Sequence, residues 1–317
     1  MAIFNIKHNT FYSYSGNVID GANLTRLHPI NDDYQKVNSH FISITKNPFI
    51  ETFFDFFNNR VGSFMLAEPH NVLNIISEIE VETKLKTFPT DQVDIKTQWN
   101  HLVSLKPNTE FIDFLKFITF DGTEGIRNLI ESKNLKSKSP YQATLELCEY
   151  IYQNFEYRQG VTTVSSKLDD VWQLKAGVCQ DFTNILLQMV RMLGIPARYV
   201  SGYICPGNGE TRGEGATHAW IEAYIPFYGW LGVDPTNNAI ADEYHVRLAV
   251  GRNYKDCAPV SGVFKGNVES KMTVSVEVTR RDNLTPKKED AISPDPKTGN
   301  SFQRNLELKQ QSQQQQQ

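Results

Sequence analysis

The hydrophobic positions in the first 95 residues mostly follow a period of two, the spacing of strands with one buried face. Asn, Gly and Pro residues separate the alternating segments, which lie at 11–14, 41–44 and 72–81. Segment 53–61 has Asn58 and Asn59 at its centre, and Asn tolerates the positive φ of a tight turn. This region therefore predicts an antiparallel β domain that includes a hairpin at residues 53–61.

Two later segments repeat their hydrophobic residues at three- and four-residue spacing, which predicts amphipathic helices. The first begins at Pro140 behind the N-cap Ser139, and its apolar stripe is Tyr141, Leu145, Cys148, Tyr152 and Phe155. The second begins at Cys179 and stops at Gly194, and its apolar stripe is Phe182, Leu186, Met189 and Leu193. A shorter helix is expected around residues 109–115.

β-type runs follow the second helix at 198–201, 219–225 and 230–233, and an alternating run at 272–278 predicts one last strand. A helix lying across an antiparallel sheet is the simplest way to bury the apolar stripe, so the fold class is α+β. We predict a β-rich domain at residues 1–95, followed by a core with C-terminal strands at 96–282. The Gln-rich tail at 283–317 has too few hydrophobic residues to fold and is expected to be disordered.

The composition limits the class of protein. A chain of 317 residues with 40% hydrophobic residues can form two cores. The net charge of -4 and the absence of a basic stripe argue against nucleic-acid binding. Without a signal-peptide pattern or an apolar run of about 18 residues, a soluble, cytoplasmic protein is expected. The 4 cysteines include no C-x-x-C pair, which favours reduced thiols, and the oligomeric state stays open.

Cys179, His218 and Asp234 form the candidate site, because each lies at the end of a predicted element. Cys179 opens a helix, whose free N–H groups favour a thiolate and can also donate to an oxyanion. His218 lies at the start of a strand, and the short loop 226–229 returns the next strand so that Asp234 ends near His218. A nucleophilic thiolate, a proton-exchanging imidazole and an orienting carboxylate are the three roles of a catalytic triad.

Each of these residues also has an ordinary structural explanation when it is taken alone. A cysteine at a helix start is usually packing, a histidine in a strand is usually a surface or satisfied core group, and Asp before Pro commonly marks a turn. Their order and their positions at element ends together favour catalysis. A metal site could use the same ligands, but zinc sites normally contain closer pairs and no D-x-D-x-D-G calcium loop occurs. Neither a metal nor a cofactor is expected.

Four blocks around these residues resemble the bacterial transglutaminase-like cysteine enzymes, a branch of the papain-like superfamily. The blocks are 176–182, 194–203, 213–220 and 229–236. A further block at 250–262 is similar to the family's C-terminal block, with Asn253 where Asp is more usual. The first domain resembles the family's β-rich N-terminal domain through His8, Thr10, Tyr12, Tyr14, Arg26, Leu27, Pro29, Gln35 and Asp55. The resemblance covers residues 1–280 and implies a papain-like core.

The resemblance implies that Cys179 is the nucleophile, His218 the general base and acid, and Asp234 the residue that orients His218. It also makes Trp172 or Gln173 a candidate oxyanion donor beside the N–H of Cys179. The expected activity is acyl transfer from a peptide or side-chain amide of a protein or peptide substrate, through a thioester, with water as the acceptor. Two alternatives stay open: a protein-glutamine γ-glutamyltransferase that uses an amine acceptor, and a non-catalytic binding or scaffold protein.

Overall fold

The computed structural model describes residues 1–163, 166–205 and 217–281, which form an α+β structure. The strands are β1 (Ala2–Thr25), β2 (Gln35–Ile44), β3 (Glu51–Phe54), β4 (Arg60–Leu66), β5 (His70–Thr83), β6 (Glu156–Tyr157), β7 (Ala176–Gly177), β8 (Ala197–Ile204), β9 (Thr217–Ile225), β10 (Gly229–Asp234), β11 (Ala239–Ile240), β12 (His245–Gly251), β13 (Val260–Lys265) and β14 (Ser270–Arg280). The helices are α1 (Ile95–Leu105), α2 (Thr109–Leu115), α3 (Thr123–Ser132), α4 (Pro140–Asn154), α5 (Leu168–Leu174), α6 (Cys179–Met192) and α7 (Tyr254–Cys257). In these ranges no helix is long and apolar enough to cross a membrane. The Gln-rich tail predicted at 283–317 lies outside the described residues.

The first sheet is built around β1, a strand of 24 residues that changes partners along its length. The strand order is β2-β5-β1-β4-β3. The first half of β1 pairs with β5 as far as Ser13, and after an irregular register its last part pairs with β4 from Gly21 onwards. The predicted β domain is confirmed, as is its hairpin, in which β3 pairs with β4 and Asn58 has a φ of 64°.

The C-terminal strands return to this first sheet. β14 pairs with β1 from Phe4 opposite Arg280 to Tyr14 opposite Ser270, and β13 pairs with the last part of β1. The strand predicted at 272–278 is therefore confirmed within β14, but it bonds to the first strand of the chain. Alternation indicates that a strand has two unlike faces and does not identify its hydrogen-bond partner. The domain boundaries after residues 95 and 282 stay a prediction.

The second sheet has the strand order β11-β10-β9-β8-β12 and carries α6 on one face. Phe182 and Leu186 of α6 pack in one core with Ala219, Ile221 and other residues of β9. The helix begins at Cys179, as predicted, and stops before Gly194, whose φ of 78° suits a residue without a Cβ. The predicted helix across an antiparallel sheet is confirmed.

Local capping signals account for two further helices. The side chain of Ser139 accepts a hydrogen bond from the N–H of Gln142 and caps α4, as predicted. Helix α2 also lies where it was expected, with Asn108 as its N-cap. The sequence pattern did not predict α1, α3 or α5.

Arg191, in the last turn of α6, is buried and holds three backbone segments together. Its guanidinium donates to the carbonyl oxygens of Ala197, Lys116 and Arg252 at distances of 2.8 to 3.0 Å. We expect Arg191→Ala to lower the free energy of unfolding by about 2–4 kcal/mol, because it leaves these acceptors without a donor. Urea unfolding followed by circular dichroism measures the loss. Arg191→Lys keeps the charge but not the planar fork, so it should be intermediate, and wild-type stability in the alanine variant would contradict the assignment.

Candidate active site

Cys179 is the first residue of α6 and is 8% exposed. The turn before it is fixed by Asp181, whose Oδ2 accepts hydrogen bonds from the N–H of Val178 at 2.8 Å and the hydroxyl of Thr162 at 2.6 Å. A Cβ on residue 177 would lie 2.6 Å from the same oxygen. Gly177 is therefore required for this close approach, and together these residues hold the thiol at the free N–H groups of the helix.

His218 and Asp234 are joined by a hydrogen bond of 2.8 Å between Nε2 and Oδ2, and both side chains are fully buried. The hairpin of β9 and β10 produces this contact, with Val233 opposite Ile221 in its register. Burial lowers the pKa of His218, but the Asp234 carboxylate outweighs burial and raises that pKa to about 10. Burial raises the pKa of Asp234, yet the neighbouring imidazole holds it well below its usual range. The pair therefore favours a protonated His218.

Asp234 is held by several groups besides His218. The N–H of Thr236 donates to Oδ1 at 2.8 Å, the side-chain amide of Asn237 donates to Oδ2 at 2.7 Å, and the thiol of Cys148 donates to the backbone carbonyl at 3.4 Å. In addition, Nε2 of His245 lies 3.5 Å from Oδ2. Cys148 was predicted as a core residue and is one, but the other contacts were not anticipated. The Asp-Pro-Thr-Asn turn at 234–237 is the signal that could have revealed two of them.

Cys179 interacts with the ring of His218, because it contributes after Asp234 to the raised pKa of the imidazole. Nε2 is bound to Asp234, so Nδ1 is the nitrogen that remains for the thiol. Within the described ranges Nδ1 has no partner that meets hydrogen-bond geometry. Cys179 and His218 line the same cavity, and the thiol acts electrostatically on the imidazole. Hydrogen bonds between catalytic groups are often long in enzymes without bound substrate. The structure brings together the three residues of the candidate site.

A cavity of about 130 Å³ lies beside the thiol, with walls from both sheets. The β-rich domain and the strands paired to it supply His8, Thr10, Tyr12, Val260, Met272 and Val274. Of the described lining residues, none is Lys, Arg or Glu. Burial lowers the pKa of His8 to about 4, so this ring is neutral at neutral pH. The first domain therefore shapes one wall of the cavity, which suits a neutral and partly apolar group.

Trp172 and Gln173, the candidate oxyanion donors, have contacts elsewhere. Trp172 packs against the rings of Phe120 and Phe155. The side-chain amide of Gln173 donates to Oδ2 of Asp121 at 3.2 Å. Neither residue belongs to the described lining of the cavity beside Cys179. The structure thus does not bring these two side chains to the site. Their closeness to Cys179 in the sequence was a weak indication of an oxyanion donor, because α5 turns both side chains toward the start of α3.

Cys, His and Asp are also common metal ligands, so a metal centre was an alternative interpretation of the site. Across the residues that the structure describes, no group of three or more His, Cys, Asp and Glu side chains is arranged to hold a metal ion.

Comparisons with known proteins identify the family of this chain. Residues 127–235 match the transglutaminase-like superfamily, and residues 4–82 match the bacterial transglutaminase-like N-terminal region. An uncharacterised protein of Mycobacterium leprae is 30% identical over 279 residues, which cover 87% of this chain and 98% of the relative. A protein-glutamine gamma-glutamyltransferase of Pseudomonas aeruginosa is 36% identical over 76 residues, or 22% of this chain and 11% of that enzyme.

Among solved structures, a "Putative Cysteine Protease" from Cytophaga hutchinsonii has a TM-score of 0.67 and 24% identity, covering 89% of this chain and 91% of its own. This likeness shows a shared fold. Together with the two family matches and a relative aligned along nearly its whole length, it leads to one assignment: the chain belongs to the transglutaminase-like superfamily, with a bacterial transglutaminase-like N-terminal region before its core.

Proposed function

We propose that this protein is a cysteine-dependent acyl-transfer enzyme that hydrolyses peptide or side-chain amides through a thioester. One observation carries the proposal: His218 lies between the carboxylate of Asp234 and the thiol of Cys179, at the N-terminus of α6. A thiol, an imidazole and a carboxylate in this order supply the nucleophile, the proton carrier and the group that orients the carrier.

In the proposed reaction the sulfur of Cys179 attacks the carbonyl carbon of the amide. The tetrahedral oxyanion accepts hydrogen bonds from the N–H groups at the start of α6, including that of Cys179. Its collapse breaks the C–N bond while Nδ1 of His218 gives a proton to the leaving amine, and a thioester remains on the sulfur. His218 then takes a proton from water, which attacks the thioester and releases a carboxylic acid and the free thiol.

The lining of the cavity supports water as the acceptor. An amine acceptor arrives as an ammonium group, which a carboxylate would bind. Asp181 is the one carboxylate among the described lining residues, and its Oδ2 already accepts hydrogen bonds from Thr162 and Val178. Among the described lining residues, no carboxylate therefore has both oxygens free to bind an ammonium group.

A second candidate function is protein-glutamine γ-glutamyl transfer to an amine. The similarity over 76 residues to the Pseudomonas aeruginosa gamma-glutamyltransferase favours it. Both reactions pass through the same thioester and differ only in the second nucleophile, so the acceptor distinguishes them.

A competition between water and an amine tests which acceptor is used. We expect a glutamine peptide, supplied with a fluorescent primary amine, to yield mainly the glutamate peptide and ammonia, because the cavity retains no amine. Mass spectrometry measures both products, with Cys179→Ala as the matched control for uncatalysed deamidation. Predominant conjugate at modest amine concentration would identify a transferase, and neither product from any amide substrate would favour the non-catalytic alternative.

The physiological substrate can be identified by trapping the acyl-enzyme on Cys179 in a cell extract and determining the attached group by mass spectrometry.

A further inference from the structure

His245 is a second buried histidine beside Asp234, and it comes from a distant part of the sheet. It begins β12, at the opposite edge from β11, so residues 241–244 cross the sheet to reach it. The turn fixes its ring, because Nδ1 lies 3.0 Å from Oδ1 of Asp242 and 3.2 Å from the N–H of the same residue. Its other nitrogen, Nε2, is thereby directed toward Asp234, 3.5 Å from Oδ2.

The same oxygen of Asp234 is hydrogen-bonded to one imidazole and lies within ion-pair distance of the other. Oδ2 lies 2.8 Å from Nε2 of His218 and 3.5 Å from Nε2 of His245. The indole of Trp220 contacts both rings, in a near-parallel arrangement with His218 at 6.1 Å and an edge contact with His245 at 5.2 Å. His245 lines a second cavity of about 210 Å³ that shares no described lining residue with the cavity beside Cys179. The carboxylate thus stands between one imidazole that faces the nucleophile and one that does not.

We propose that His245 is a positioning residue that shares the carboxylate of Asp234 with His218, and so limits how firmly that carboxylate holds a proton on His218. This inference rests on the proposed function, in which His218 must give its proton to a leaving amine. His245 does not line the cavity beside the thiol, so it acts through its charge, which lies next to Asp234 and 6.4 Å from the ring of His218.

The electrostatic reason is that one carboxylate cannot fully compensate two imidazolium charges that lie close together. Asp234 holds His218 in its charged form strongly enough to raise the pKa to about 10, which is high for a group that must release a proton near neutral pH. Burial lowers the pKa of His245, but the neighbouring carboxylates of Asp234 and Asp242 outweigh burial and raise it. A proton on His245 repels one on His218.

Other charged groups near His245 are already paired with one another or lie across the second cavity. From β9, Glu222 binds Arg198 and also lies 3.6 Å from Arg247, the next residue but one along β12. Arg247 in turn binds Asp32, and Lys84 and Lys86 are the other positively charged residues in the described lining of this cavity. Asp242 and Asp234 are therefore the carboxylates in direct contact with the His245 ring.

The test compares the titration of His218 in the wild type and in His245→Gln, by NMR of protein labelled in the histidine rings. Glutamine can still donate to Asp234 but cannot carry a proton charge. We expect the midpoint of His218 to rise by about 1 pH unit, and the alkaline limb of kcat/KM to move upward equally with little change in KM. Asp242→Asn, which makes protonation of His245 less favourable, should shift the midpoint in the same direction by less. His70→Asn replaces a buried histidine of the first sheet and serves as the control.

An unchanged His218 midpoint in both His245→Gln and Asp242→Asn would overturn the proposal, and so would a loss of activity without any change in the pH profile. If His245→Gln does not fold, Asp242→Asn alone decides by the same criterion. The NMR midpoint needs no turnover, so failure of this inference is distinct from failure of the proposed function, which would be shown by full amide hydrolysis in Cys179→Ala.

Discussion

Replacement of Cys179 by alanine is expected to lower amide turnover by at least about 10³-fold and to abolish labelling by iodoacetamide at neutral pH. Loss of turnover follows because no other described nucleophile lies at the N-terminus of α6 beside His218. Loss of labelling follows from the state of the other thiols. Burial raises the pKa of Cys148, Cys205 and Cys257, so these groups remain protonated and react slowly. Product release and intact-mass labelling stoichiometry measure the two effects.

Cys205→Ala is the matched control for this experiment, because it removes a buried thiol from the core of the first sheet rather than from the site. It should retain both turnover and a single labelled cysteine. Undiminished amide hydrolysis in Cys179→Ala would remove the nucleophile from the proposed mechanism. Labelling at a second cysteine in the folded wild type would contradict the view that one thiol alone is reactive.

The local part of the site could be predicted from the sequence. A cysteine that opens an amphipathic helix lies at the free N–H groups of that helix wherever the helix packs. A histidine and an aspartate at the outer ends of two strands joined by a short hairpin must lie near each other. The register of β9 with β10 and the hydrogen bond between His218 and Asp234 follow from those two facts.

Contacts between distant elements could not be predicted in this way. β1 and β14 are separated by most of the chain, and a period-two pattern gives no information about which strand is the partner. His245 reaches Asp234 only because residues 241–244 cross the sheet, which no local spacing indicates. Gln173 shows the converse error, since a residue close to Cys179 in sequence is turned by α5 toward Asp121.

Asp234→Asn is expected to lower kcat/KM by about 10³–10⁴-fold while the protein remains folded. Asparagine has the shape of aspartate, but one of its terminal atoms is an NH₂ donor. Oδ1 accepts from the N–H of Thr236, so the NH₂ group falls at Oδ2, where it faces the two donors of His218 and Asn237. If Nε2 of His218 loses its proton, the neutral ring keeps its one proton on Nδ1 and cannot accept the proton of the thiol, and if the ring turns away, Nδ1 no longer faces the thiol. Steady-state kinetics across the neutral and alkaline range measures the loss.

The residual activity of Asp234→Asn still depends on pH, and the direction in which its pH profile shifts distinguishes this role of Asp234 from general damage to the fold. Because Asp234 is the group that raises the pKa of His218, its neutral replacement lowers that pKa, and the alkaline limb of activity moves to lower pH. His245→Gln should move the same limb to higher pH, since glutamine places no positive charge beside Asp234 and His218. Asp20→Asn, which alters an exposed carboxylate paired with Lys265, should change neither kcat/KM nor the limb. Opposite shifts are the expected result, and shifts of the same sign in the Asp234 and His245 variants would contradict a carboxylate shared by two imidazoles.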